Sequence, residues 1–406
     1  MVAGCGAMGI IVPAYCGVLL YCIPLFSMTG ILLIISISLL SIYCVLLIYY
    51  CVGWAVVPNY AMLNPQHTVS ITIIIPARNE EKNLPALLDS IDHQTYSKEF
   101  FQVLVIDDHS TDNTANIASQ YPFVTCLSLK DFIGSDSLNS YKKKAIEIGI
   151  KNSVGELIVT TDADCIVPAK WLATIAAFYH QYKPEFMVMP VAINCTAKPI
   201  EIFQALDFMS LQGITAASVH KKLHSMCNGA NLAYTRKAFE AVDGFTGIDT
   251  IASGDDMLLM HKIAQQYPAG IHYLKSKNVI VQTAPVHSIA AFLNQRIRWA
   301  SKADKYDDKR IMAVLFLVYF LNVMLLLIPV LSLVSGQWSV VLYWLLLLAV
   351  KTIVELIFLF PVATFFHKRP LLWAFPLAQP FHILYTVIAG WLGKFGSYKW
   401  KERKVK

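Results

Sequence analysis

The sequence predicts an α/β domain, a mostly parallel sheet with flanking helices, set between apolar segments long enough to cross a bilayer. Three observations carry this. Charge is partitioned along the chain: 1–77 contains no Lys, Arg, Asp or Glu, 78–310 reads like an ordinary soluble domain, 311–393 is apolar again, and 394–406 is strongly basic. Through the middle stretch, short apolar runs alternate with helix-spaced runs, the pattern of strands joined by crossover helices. Acidic residues stand at the carboxyl ends of the predicted strands, where open α/β sheets bind their ligands.

The first segment, 1–66, is membrane-bound. Residues 32–50 form an apolar run close to the roughly 20 residues that span a bilayer. A weaker candidate, 10–26, is broken by Pro13 and Pro24 and lacks the basic start of a signal peptide. It reads as a second span or as sequence upstream of a start at Met28.

The domain, 67–310, opens with the apolar run 69–76, a buried strand ending at a proline. Helical spacing over 80–91 follows, then a strand over 101–106 closed by Asp107-Asp108. Residues 115–120 and 142–151 read as helices, and 156–161 as a strand closed by Asp162. The apolar stretch 200–219 reads either as an amphipathic helix against the membrane or as a core helix.

The spans 311–334 and 340–366 form a hairpin, because the link between them is short. The run 371–392 is long enough to span but holds Pro376 and Pro380. The surplus of Lys and Arg places the domain in the cytoplasm of a multi-pass protein of the cell (inner) membrane. Strict counting then conflicts with itself: one span before the domain and three after it put the basic tail, 394–406, outside. Either 371–392 is re-entrant or interfacial, or the charge bias fails there.

Hydrophobic residues make up 56% of the 406 and charged residues only 15%, against roughly 25% charged in soluble proteins. The net charge of +6 comes largely from the tail, which suits a membrane surface or plain solvation rather than nucleic acid. Nine scattered cysteines with no Cys-x-x-Cys pair argue against a disulfide framework or a zinc site.

Asp107-Asp108, Asp162-Ala163-Asp164 and Asp255-Asp256 are the acidic clusters with chemical potential. Asp307-Asp308, beside Lys305, Lys309 and Arg310, reads as a solvated juxtamembrane group. The spacing of Asp162 and Asp164 after a strand lets one carboxylate bind a divalent cation, and Mg²⁺ favours one or two carboxylates plus substrate phosphates. The same triplet also occurs in plain turns.

Taken together, the motifs resemble glycosyltransferase family 2, the inverting group that includes cellulose and hyaluronan synthases and ceramide glucosyltransferases. The resemblance runs over about 69–302. Ile75-Pro76-Ala77-Arg78-Asn79-Glu80-Glu81 resembles the opening loop that receives the nucleobase, and Val105-Ile106-Asp107-Asp108 the second nucleotide-binding strand end. Lys144-Ala145 resembles the family's lysine near the nucleotide, and Asp162-Ala163-Asp164 its metal and diphosphate motif. Cys227-Asn228-Gly229-Ala230-Asn231 resembles the acceptor-side loop, and Ser253-Gly254-Asp255-Asp256 the base motif, with Asp255 where many members have Glu. Gln295-Arg296-Ile297-Arg298-Trp299 matches Gln-x-x-Arg-Trp.

The resemblance implies a GT-A nucleotide-sugar-binding fold and inverting transfer of a hexosyl unit from a nucleotide-diphosphate sugar, usually a UDP-sugar. It implies Asp256 as base beside Asp255, and Mg²⁺ or Mn²⁺ on Asp164 with Asp162. Pro76, Arg78, Asn79, Glu80, Asp107, Asp108, Lys144, Asp162, Gln295, Arg298 and Trp299 are the expected donor contacts. Asn228, Gly229 and Trp299 are those for a lipid or saccharide acceptor. A processive polysaccharide synthase is the alternative, although so few spans leave little material for a channel. A nucleotide-binding transporter or receptor is the alternative of another class. It is disfavoured because only Lys351 and Glu355, one turn apart, are charged within the spans, and they can pair with each other. Arg298 and Trp299 also suit plain anchoring at the membrane interface.

Overall fold

The computed structural model describes residues 28–62, 69–133, 140–222, 226–251, 254–302, 308–336, 338–396, 398–400 and 403–405. The candidate span 10–26, Ser253, Asp307 and part of the basic tail lie outside the described residues.

A long apolar helix, α1 (Met28–Val56), precedes the domain. The first half of the domain runs β1 (Ile71–Ala77), α2 (Leu84–Asp92), β2 (Phe101–Asp107), α3 (Thr114–Ser119), β3 (Val124–Ser128), α4 (Lys130–Ile133), α5 (Tyr141–Lys151) and β4 (Leu157–Thr160). The second half runs β5 (Cys165–Ile166), α6 (Trp171–Tyr182), β6 (Phe186–Val188), β7 (Val191–Ile193), α7 (Pro199–Lys221), β8 (Leu232–Thr235), α8 (Arg236–Ala241), α9 (Met257–Gln266), β9 (Ile271–Tyr273), β10 (Val281–Thr283) and α10 (Ile289–Ala300). Then come α11 (Lys309–Ser335), α12 (Trp338–Phe365), a 3₁₀ segment Arg369–Ala374, α13 (Phe375–Phe395), and the hairpin strands β11 (Tyr398–Trp400) and β12 (Arg403–Val405).

The main sheet has the order β3-β2-β1-β4-β8-β6-β9. β1, β2, β3 and β4 run parallel, while β8 opposes both of its neighbours. The sheet is therefore mixed, with a parallel half that carries the first two acidic strand ends. β1 is apolar almost throughout because helices cover both faces, as parallel strands require. Ile71, Ile73 and Ile75 pack with Leu84, Leu87 and Leu88 of α2. Ile74 points the other way, onto Ile146 and Ile148 of α5. The period of two along the strand divides the core into these layers.

Four helices of the described residues are long and apolar enough to cross a membrane: Gly30–Val56, Lys309–Val334, Ser339–Phe365 and Arg369–Phe395. The end of α1 is fastened to the domain by Lys275. Its Nζ donates to Trp54 O at 2.9 Å and stands 3.9 Å from the Trp54 ring centroid, satisfying a terminal helix carbonyl. Trp54 also meets Phe365, at the end of α12, with ring centroids 5.4 Å apart. The domain end of α1 and the end of α12 thus lie together.

The two prolines of the last apolar run do not break it. Pro376 falls in the first turn of α13, where its missing N–H has no helical partner to lose, and Pro380 lies within the helix. α13 packs along the domain rather than away from it. Phe381 meets Phe203 of α7 at 4.7 Å, Tyr385 meets Phe292 of α10 at 5.1 Å, and Gly393 lies against Ala300. The 200–219 stretch is a helix buried on several sides, with Leu206 and Ala217 in the core shared with α1 and α12 and Phe208 in the core of the domain.

Candidate active site

A single cavity of about 1250 Å³ joins the ends of the parallel strands to the apolar helices. Its domain side is lined by Pro76, Arg78, Glu80, Asp108, Asp162 and Asp164. Asn228, Gly229, Asp255, Asp256, Gln295, Arg298 and Trp299 also line it. The motifs, separated by more than two hundred residues from Pro76 to Trp299, converge on one space.

Lys142 stands at the centre of the charged part. Its Nζ is 2.7 Å from Asp162 Oδ1 and 3.1 Å from Asp255 Oδ2. Burial works against its charge, but Asp162 and Asp255 outweigh that and raise its pKa well above the ordinary lysine value. Burial likewise works against the ionised form of Asp255, yet Lys142 and Lys302 hold its carboxyl below the usual range. Opposite charges at this separation favour both ionised forms.

Asp256 is differently held. It caps α9, its Oδ1 accepting from Met257 N at 2.7 Å, while Oδ2 accepts from Gly229 N at 3.1 Å. Gly229 is confined: a Cβ there would lie 3.1 Å from Lys142 Nζ and 3.2 Å from Asp255 Oδ2. Gly254, just before the pair, has φ +80°, a left-handed backbone that glycine adopts without a Cβ penalty. Together these let the Asp255-Asp256 turn and the 227–231 loop approach closely.

The resemblance places the nucleotide lysine at Lys144, and the structure sets Lys144 away from the cavity. Lys144 ion-pairs with Glu147 at 3.1 Å on the surface of α5 and does not line the cavity. Successive residues on a helix point about 100° apart, so only one of the three lysines 142–144 faces the strand ends, and it is Lys142. Lys143 points to a third place, donating to Ile248 O at 2.6 Å and Ile251 O at 2.7 Å in the loop ahead of Asp255. Burial lowers its pKa to about 8.

Asn79 and Asp107 also stand back from the cavity lining. Asn79, at φ 52°, braces the β1 loop against the β2 loop: its N donates to Ser110 Oγ at 3.0 Å and its Oδ1 accepts from Thr111 N at 2.8 Å. Asp107 is buried, with Oδ1 lacking a hydrogen-bond partner among the described residues. Asp108 faces the cavity, between Arg78 at 3.8 Å and His109 at 3.0 Å.

Among the described residues no group of three His, Cys, Asp or Glu converges as a metal cage. Asp162 and Asp164 nevertheless match what Mg²⁺ or Mn²⁺ needs at a phosphate site, where substrate oxygens complete the shell. Asp164 accepts a long 3.4 Å bond from Thr283 Oγ1 and a thiol contact from Cys165 at 3.8 Å.

Gln295, Arg296, Arg298 and Trp299 of the Gln-x-x-Arg-Trp helix line the cavity, and Trp299 packs on Phe208 with ring centroids 6.1 Å apart. Arg296 is largely buried at its edge: its Nη2 lies 2.6 Å from Asp207 Oδ2, and its guanidinium stacks 4.2 Å from the Trp299 centroid. The sequence offered no sign of this Asp207–Arg296 pair, which joins residues far apart in the chain. Glu355, by contrast, takes its expected partner, Lys351, at 2.7 Å.

Residues 72–242 match the family model for glycosyl transferase family 2. The chain is 33% identical over 102 residues to glycosyltransferase AglE of Haloferax volcanii, covering 25% of this chain and 33% of that protein. It is 29% identical over 204 residues to the 4,4'-diaponeurosporenoate glycosyltransferase of Staphylococcus haemolyticus, covering 46% of this chain and 52% of that protein. The chain thus spans between a third and about half the length of these relatives. The mannosyltransferase PcManGT of Pyrobaculum calidifontis, solved with GDP-Man and Mn²⁺, superposes with a TM-score of 0.55 at 19% identity, covering 89% of this chain and 98% of that one. This is a likeness of fold, and it extends beyond the domain into the apolar helices. With the motifs at the strand ends and the match over 72–242, the domain matches glycosyl transferase family 2 and has the GT-A fold.

Proposed function

We propose that the protein is an inverting membrane glycosyltransferase that moves a hexosyl unit from a nucleotide-diphosphate sugar, a UDP-sugar by the family's habit, to a lipid acceptor. The single observation that carries this is the cavity, which runs without a break from Asp162, Asp255 and Asp256 to the apolar helices α1, α11, α12 and α13. A donor from water and an acceptor from the membrane meet there.

The acceptor hydroxyl oxygen attacks the anomeric carbon as the bond from that carbon to the diphosphate breaks. The hydroxyl proton passes to Asp256, and the nucleotide diphosphate leaves with the bonding electrons. Asp256 suits the base because its partners are neutral backbone amides, whereas Asp255 is tied to the Lys142 ammonium. Lys142 and Arg298 offer charge to the leaving diphosphate. Asp164, with Asp162, would hold Mg²⁺ or Mn²⁺, which supplies further neutralisation of that charge. The domain faces the cytoplasm, where nucleotide sugars are found.

Nucleotide release tests the reading. The purified full chain, given a panel of nucleotide sugars, Mn²⁺ and membrane lipid extract, is expected to release nucleotide diphosphate from one donor and to label one glycolipid. Release of no nucleotide from any donor would refute it, and a high-molecular-weight product would favour a polysaccharide synthase.

A further inference from the structure

The membrane side of the cavity is not uniformly apolar. Tyr43 of α1, Glu355 of α12, and Gln379, His382 and Tyr385 of α13 all line it. Most of their polar atoms are already matched. Glu355 accepts from Tyr43 Oη at 2.6 Å, from Lys351 Nζ at 2.7 Å and from Gln379 Nε2 at 2.6 Å. Lys351 also donates to Gln379 Oε1 at 2.9 Å. Asp207 accepts from Arg296 Nε at 3.1 Å and from the Tyr385 hydroxyl. His382 is the exception. Its Nε2 lies 3.8 Å from Asp207 Oδ1, beyond hydrogen-bond range, and its Nδ1 is buried with no partner among the described residues.

Two features of this face select a ligand. The cations nearest His382 are engaged, Lys351 by Glu355 and Gln379 and Arg296 by Asp207 and Gln295, while Lys394 lines the cavity about 18 Å farther along α13. An anionic group would therefore meet carboxylates here without a spare ammonium or guanidinium. A bare hydrocarbon chain would cover the partly exposed edge of the His382 ring, 24% accessible and carrying Nε2 beyond hydrogen-bond range of Asp207, without bonding it, which is costly in an apolar setting. A neutral group with a donor or acceptor satisfies both conditions.

Resting on the glycosyltransferase reading above, we propose that this face is a recognition subsite, centred on His382, for a hydroxyl, ester or amide carried by the acceptor lipid behind its attacking hydroxyl. The acceptor class is then a neutral lipid with a polar linker, as in a diacylglycerol or a ceramide. A polyprenyl phosphate, whose chain is hydrocarbon directly behind its phosphate, does not fit.

The test uses the full chain in detergent with its best donor, and dioleoylglycerol, a ceramide and undecaprenyl phosphate as acceptors. At least one neutral lipid is expected to be glycosylated and undecaprenyl phosphate is not. His382→Phe is expected to raise the acceptor KM three- to tenfold, the size of one neutral hydrogen bond, while the Kd for nucleotide diphosphate stays within twofold. His382→Gln is expected to recover part of the loss. Preference for undecaprenyl phosphate, or donor turnover with no glycolipid, overturns the subsite while leaving the glycosyltransferase reading intact. So does a His382→Phe variant that binds acceptor normally, or one that loses kcat without a change in KM. Should His382→Phe fail to fold, the acceptor panel on the unaltered chain decides alone. Absence of nucleotide binding would remove both readings.

Discussion

Lys142 and Asp255 form an ion pair, Nζ to Oδ2 at 3.1 Å, and the same ammonium reaches Asp162 at 2.7 Å. One side chain from α5 thus joins the carboxylate motif at the end of β4 to the one ahead of α9. Without it, Asp162 and Asp255 would lose the one ammonium they share. Lys142→Met is expected to lower folding stability by roughly 1–3 kcal/mol, the range for leaving a largely buried charge unpaired, and to weaken nucleotide-diphosphate binding about tenfold. A thermal melt and titration calorimetry read the two effects. Unchanged values in both would show that the bridge is dispensable.

Asp256 and Asp255 should separate kinetically. If Asp256 takes the proton, Asp256→Asn lowers kcat by about 10²–10⁴, the usual contribution of a general base, while the nucleotide Kd changes little. Asp255→Asn breaks the Lys142 pair and should weaken nucleotide binding as well as turnover. Identical profiles for the two variants would contradict the division of roles.

Asp164→Ala is expected to abolish the dependence of nucleotide-diphosphate binding on Mn²⁺. Calorimetry with and without the ion measures it directly. A metal effect as large in the variant as in the unaltered chain would place the ion elsewhere.

Lys143 has a pKa lowered to about 8 from 10.5, burial being the cause. Between those pH values the unfolded chain keeps a proton that the folded chain has released. The contribution of Lys143 to stability therefore rises as pH climbs through that window and is lost as pH falls through about 8. The stability of the unaltered chain minus that of Lys143→Met should grow from pH 7 to pH 10. Other titrating groups cancel in the difference. A flat or falling difference would mean that burial does not disfavour the Lys143 ammonium.

The strands and their acidic ends were legible because period-two patterning and strand-end carboxylates are local signals. Asp108, Asp162, Asp255 and Asp256 could be named before any fold was known. Lys142 was not, because three consecutive lysines look alike in one dimension and the helix phase alone separates them. The Asp207–Arg296 pair was invisible for another reason: Asp207 lies in an apolar stretch with no motif, and its partner belongs to a helix reached only through tertiary packing. The path of α13 was similarly open, since composition gives length and not direction.

That path leads to the last prediction. Trp54 and Phe365 are in contact, so α1 and α12 end on the side of the domain. The segment Arg369–Ala374 follows at once, and Leu371 within it packs against the core of the domain. From there α13 keeps one flank on α7 and α10, through Phe381 and Tyr385 to Gly393 against Ala300. Its other flank exposes Leu377, Leu384 and Trp391, seven residues apart and so on one stripe. A helix with both ends on the domain and an apolar stripe facing outward is suited to lie in the membrane interface, with Trp373 and Trp391 at headgroup level. Three crossings, α1, α11 and α12, then remain, and Phe395 falls on the same side as the domain. This removes the conflict between the basic tail and the positive-inside rule. Single cysteines in a cysteine-free background test it with a membrane-impermeant maleimide on sealed vesicles of either orientation. Phe395→Cys is expected to label from the same side as Lys237→Cys in the domain, and Ser339→Cys, at the start of α12, from the opposite side. Labelling of Phe395→Cys together with Ser339→Cys would make α13 a fourth crossing.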